Sequence, residues 1–114
     1  MKRASLTQNL EFNKEKPLIT VLFETEFTKE IRIAMHKGTT MKKHKTSFPI
    51  VVEIHDGEID FGVDGEIKNL TKGDLVALEA IVPHDLLAKK DSIVRLTLTK
   101  QDKSERVQSV VDKK

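Results

Sequence analysis

A chain of 114 residues is long enough for one domain and short for two. It has no cysteine, which rules out a disulfide scaffold, a cysteine-ligated zinc finger and thiol chemistry. Charged residues make up 33% of it but nearly cancel at a net +2, and Tyr and Trp are absent, so nucleic acid is not an expected partner.

The first residues, "MKRASLTQNLEF", have no apolar stretch after their basic start, so no secretory leader is expected. No run approaches the roughly 20 apolar residues of a membrane helix. A cytoplasmic protein that avoids membranes is the expectation. Residues 1–17 are polar, with scattered Leu6, Leu10 and Phe12, and end at Pro17; they read as an irregular N-terminal arm.

From Leu18 the pattern changes. "LITVLFE" is an apolar run of strand length. "EIRIAMHK" alternates Ile31, Ile33 and Met35 against Arg32, Ala34 and His36, the period of a half-buried strand. "PIVVEIH", "EIDFGV" and "EIKNL" follow, each strand-sized. The dipeptides Asp56-Gly57 and Asp64-Gly65 predict tight hairpin turns, and Lys72-Gly73-Asp74 marks a further turn. "LVALEAIV", "HDLLA" and "SIVRLTLTK" complete an all-β series over residues 18–100, an antiparallel barrel or sandwich. In the tail, 101–114, Asp102 and Glu105 could form a capping box. Val107, Val110 and Val111 share a helix face, so a short C-terminal helix and a frayed tail both stay open.

The order Gly38…His44…Gly57, then Gly73…His84, resembles the cupin superfamily, whose two signatures are G-x5-H-x-H-x3,4-E-x6-G and G-x5-P-x-G-x2-H-x3-N. The match spans roughly residues 30 to 100. It implies a small single-domain RmlC-like cupin, an antiparallel jelly-roll β-barrel. In cupins that bind metal, three histidines and the glutamate hold the ion. Here His44 and His84 fall on two of those four positions. The other histidine falls on Thr46, and the glutamate on Ile50, or on Val51 with the longer spacing. The proline, glycine and asparagine of the second motif fall on Glu79, Ile81 and Ala88. Tight transition-metal sites use three or four protein ligands. Ile50 has no lone pair and Thr46 offers a neutral hydroxyl, so the degenerate motif implies no metal or a weakly bound divalent transition ion at His44 and His84.

Strand alternation places Lys42 on the His44 face and turns Lys43 and Lys45 to solvent. Lys42 would favour an anionic ligand over a cation. Arg95 alternates with Val94 and Leu96; it could line the barrel and grip a carboxylate, or stand exposed on the strand. Glu53 faces away if Ile50, Val52 and Ile54 face inward; Glu79 stays open. Phe48, Phe61 and Met35 would make the interior apolar. His36 and His55 fit no signature position.

The candidate ligand-binding set is thus His44, Thr46, Ile50, His84, Lys42 and Arg95, with no catalytic residue assigned. The expected function is small-molecule binding without a tight metal. The alternative is a metal-dependent cupin enzyme, of isomerase or dioxygenase type, using His44 and His84. A sensory role is a third reading, although no helix-turn-helix pattern follows. A homodimer is expected, because the arm and "LITVLFE" are suited to covering a sheet edge or extending a partner's sheet.

Overall fold

The structure is a computed structural model that describes residues 1–100. The expectations placed on Asp102, Glu105 and the valines beyond them lie outside the described residues.

Among the described residues nine strands follow one another: β1 (Leu18–Glu24), β2 (Thr28–Met35), β3 (Thr40–His44), β4 (Ile50–Asp56), β5 (Glu58–Val63), β6 (Glu66–Thr71), β7 (Leu75–Leu78), β8 (His84–Ala88) and β9 (Ser92–Thr99). They form two antiparallel sheets, one of five strands in the order β1-β2-β9-β4-β7 and one of four in the order β3-β8-β5-β6. No helix occurs among the described residues. The sheets lie face to face, and the alternation along each strand decides what fills the space between them. Ile31, Ile33 and Met35 of β2, Ile50, Val52 and Ile54 of β4 and Val94 of β9 come from the larger sheet; Ile59, Phe61, Leu86 and Ala88 come from the smaller.

The half-buried reading of β2 needs correction. Glu30, Arg32 and Ala34, on its other face, are buried as well. The N-terminal arm supplies part of the cover. The Arg32 guanidinium donates from Nη1 to the Leu6 and Gln8 carbonyls, at 3.5 and 2.9 Å, and from Nη2 to the Asn9 carbonyl at 3.4 Å. Residues 1–17 contain no strand, so their backbone oxygens are open to such donors.

The two Asp-Gly dipeptides differ. At Asp64-Gly65 both residues have positive φ, 54° and 75°, and the turn joins the paired strands β5 and β6. This is the tight hairpin expected. Asp56-Gly57 makes no hairpin, because β4 and β5 belong to different sheets. It is a corner where the chain crosses from one sheet to the other. "LVALEAIV" is likewise shorter than it reads: the strand stops at Leu78, and Ile81 takes a φ of 59° in the turn before β8. On β1, an edge strand, Ile19 and Val21 are more than half exposed, the kind of apolar edge the expected homodimer would cover.

Candidate ligand site

His44 and His84 stand directly opposite each other on β3 and β8. Their rings lie 4.3 Å apart between centroids, tilted by 58°. His84 is 3% exposed and stacks on Phe61, whose ring centroid is 5.7 Å away. His44 is half-buried, at the rim.

Both rings are anchored by the same device. Nδ1 of His44 lies 2.7 Å from the Lys42 carbonyl oxygen, and Nδ1 of His84 lies 3.0 Å from that of Val82. A carbonyl can only accept, so Nδ1 carries the proton in each ring. Nε2 then keeps its lone pair while the ring is neutral. Two imidazoles that offer lone pairs from neighbouring positions are what the sequence placed here.

The lysines around His44 do not follow simple alternation. Met41 pairs with Leu86 and His44 with His84, so β3 spends three residues where β8 spends two. Such a bulge turns both Met41 and His44 towards the interior. Lys42 therefore does not share the inward face, contrary to the sequence expectation. Its side chain is exposed, and its carbonyl rather than its ammonium meets His44. Lys42 and Lys43 instead border a cleft of about 340 Å³ whose wall includes Ile19, Met41 and His44.

The other sequence candidates are dispersed. Ile50 is 2% exposed, in register with Leu78 and Leu98 in the apolar core. Thr46 lies beyond the end of β3; its Oγ1 donates to the Phe48 carbonyl at 3.0 Å, and its own carbonyl accepts from the Ile81 amide at 2.8 Å. That second bond ties the segment after His44 to the turn before His84. Arg95 is not in the barrel. It stands on the outer face of the larger sheet, where Nη1 meets Glu53 at 3.1 Å and Nη2 meets Glu30 at 3.4 Å. Its neighbour Val94 takes the inward direction instead. His36 bonds Asp91 at 2.9 Å, and Glu79 is exposed just past the end of β7.

Could these residues hold a metal tightly? They do not fit. Of the four positions, two present imidazole lone pairs, one presents a hydroxyl turned to a backbone carbonyl, and one presents an alkyl chain. Among the described residues no group of three or more His, Asp or Glu side chains is placed to hold an ion.

Burial is the main force on the His84 proton. It pushes the imidazole below its ordinary value; the Val82 carbonyl opposes this, His44 reinforces it and Asp85 opposes it. In the unfolded chain His84 returns to an ordinary imidazole. Between the ordinary value and the lowered one, the unfolded state therefore binds more protons. The neutral ring's contribution to stability is complete above the ordinary imidazole range and is lost as pH falls towards the folded value. The melting temperature should fall between pH 7.5 and pH 5, and His84→Gln should flatten that slope. An unchanged slope in the variant would place the titration elsewhere.

No protein-family model matches the chain, and no curated protein sequence matches it. Solved structures do. An RmlC-like cupin from Desulfovibrio desulfuricans superposes with a TM-score of 0.80 at 20% identity, over 87% of this chain and 96% of that one. A conserved protein of unknown function from Streptococcus pyogenes superposes at 0.76 with 22% identity, over 89% of both chains. A Klebsiella pneumoniae protein with a double-stranded β-helix domain superposes at 0.73 with 15% identity, over 83% and 85%. The chain thus has the RmlC-like cupin fold, the double-stranded β-helix. At these identities the likeness is one of fold, and the substrate is a separate question.

Proposed function

We propose that the protein binds a small molecule at the end of the sandwich where β3 leads into β4, and that it holds no tight metal there. The observation behind this is the contrast within one constellation. His44 and His84 converge with their Nε2 lone pairs available, while Thr46 and Ile50 bring no further ligand. Neutral imidazoles are good hydrogen-bond acceptors, and the half-buried rim at His44 borders an open cleft. The same paired lone pairs support a second reading, a weakly held divalent transition ion in a metal-dependent enzyme. Metal content separates the two. Purified protein dialysed against a mild chelator should retain clearly less than one equivalent of Mn, Fe, Ni or Zn, and readdition should leave the melting temperature nearly unchanged. A full equivalent that survives chelation would transfer the argument to the second reading.

A further inference from the structure

Starting one residue past His44 in the chain, a cleft of about 480 Å³ opens where the β3–β4 connection passes the start of β2 and the end of β9. Three lysines reach it from three separate parts of the chain: Lys29 on β2, Lys45 just past β3 and Lys100 just past β9. Among the described residues no carboxylate belongs to its wall. In a chain whose 20 basic and 18 acidic residues almost balance, that is a local excess of one sign. Lys100 is already engaged, donating to the Thr25 carbonyl at 2.8 Å and meeting Glu24 at 2.9 Å. Lys29 and Lys45 bring two further ammonium groups, the first also within reach of the Glu24 charge, its partner across the β1–β2 register.

The rest of the wall narrows the chemistry. Thr46 and Thr99 line the cleft, and each hydroxyl donates its proton to a backbone carbonyl, that of Phe48 at 3.0 Å and that of Pro49 at 2.5 Å. What these oxygens present to a visitor is lone pairs, so they accept from a ligand hydroxyl. Phe48 and Leu98 add an apolar patch. Ammonium groups select a negative charge, spent hydroxyls select a donor, and the patch accommodates an apolar body.

We propose that the ligand of this site is a small hydroxylated organic anion, its carboxylate or phosphate held by Lys29 and Lys45 and its hydroxyl donated to Thr46 or Thr99. This rests on the reading that a small molecule binds at this end of the sandwich and names its class.

Three probes share a phenyl ring: mandelate carries a carboxylate and a hydroxyl, phenylacetate lacks the hydroxyl, and mandelamide lacks the charge. Phenyl phosphate tests the other source of anion. At about ten times its dissociation constant, mandelate should raise the melting temperature by about 6 °C. It should also move the backbone amide signals of Lys45 to Phe48 and of Thr99. Mandelamide and phenylacetate should bind more weakly, mandelamide by about tenfold. Lys29→Gln and Lys45→Gln, checked to melt like the parent without ligand, should each weaken mandelate by about tenfold, and added salt should weaken it further. Tighter binding of phenyl phosphate than of mandelate would assign the charge to a phosphate within the same proposal. Equal binding of mandelate and mandelamide, or lysine variants that bind like the parent, would overturn it. So would silence from both anions. If mandelamide alone moved the Thr46 signal, the site would stand and its anionic class would fall. If no probe moved Thr46 or His44, both readings would fall together.

Discussion

Gly57→Ala should remove a large share of the protein's stability. Gly57 has a φ of +99°, a conformation that L side chains rarely adopt, which costs about 1–2 kcal/mol. The added Cβ would also sit 2.2 Å from Ser92 Oγ, 2.6 Å from the Asp91 carbonyl oxygen and 2.6 Å from Ser92 Cα. Two of those three neighbours are backbone, so no rotamer change relieves them, and Ser92 itself is fully buried. Ser92 Oγ accepts from the Glu58 amide at 3.0 Å and lies 2.7 Å from the Lys90 carbonyl, so displacing it strands buried polar groups. Steric overlap and stranded groups together should bring the total to on the order of 3–5 kcal/mol. A domain of this size has about 5–15 kcal/mol in all. Urea denaturation should show the midpoint collapse. Gly65→Ala, at a positive φ but with open space around its Cβ position, should lose far less. Similar losses in the two variants would mean that the crowding at the β4–β5 corner is not the cause.

Phe61→Ala should cost about 3–5 kcal/mol, the usual range for emptying a large buried aromatic site. Phe61 is 1% exposed, in the centre of the core. It is also the ring on which His84 stacks, with planes within 17° of each other. The cavity should therefore admit water beside His84. Since burial is the first cause of its lowered proton affinity, the His84 titration should move back towards that of an ordinary histidine. Stability and titration should change together. An NMR titration of the histidine ring protons would read the second effect, and a midpoint that stayed where it is in the parent would detach His84 from this wall.

The strand series was largely legible because it follows from alternation. "HDLLA" and "LITVLFE" coincide with β8 and β1 end to end, and the resemblance to the cupin pattern anticipated that His44 and His84 would meet. What escaped were features that depend on a second segment. Arg32 reads as the solvent side of β2, and no local pattern announces that the arm's carbonyls will bury it. The bulge in β3 is set by its pairing with β8, so strict alternation misplaced Lys42. Asp56-Gly57 and Asp64-Gly65 are the same dipeptide, yet one turns a corner between sheets and the other closes a hairpin; the distinction lies in what the flanking strands pair with. The cleft at Lys29, Lys45 and Lys100 was hidden for the same reason, since the β2–β9 pairing brings Lys29 beside Lys100 across 71 residues of chain and the β3–β4 connection adds Lys45.

That pairing bears on how the chain is made. β9 lies between β2 and β4 at the centre of the larger sheet, yet it is the last strand among the described residues. A polypeptide emerging from the ribosome has β1 and β2 early, and they can pair with each other. The larger sheet stays split until Thr99 has been released, with the inward faces of Ile31, Ile33, Ile50 and Val52 uncovered meanwhile. Synthesis at about 5–20 residues per second makes that interval several seconds long. The nascent chain should therefore interact with holdase chaperones until β9 has emerged, and the larger sheet should close in one step after that.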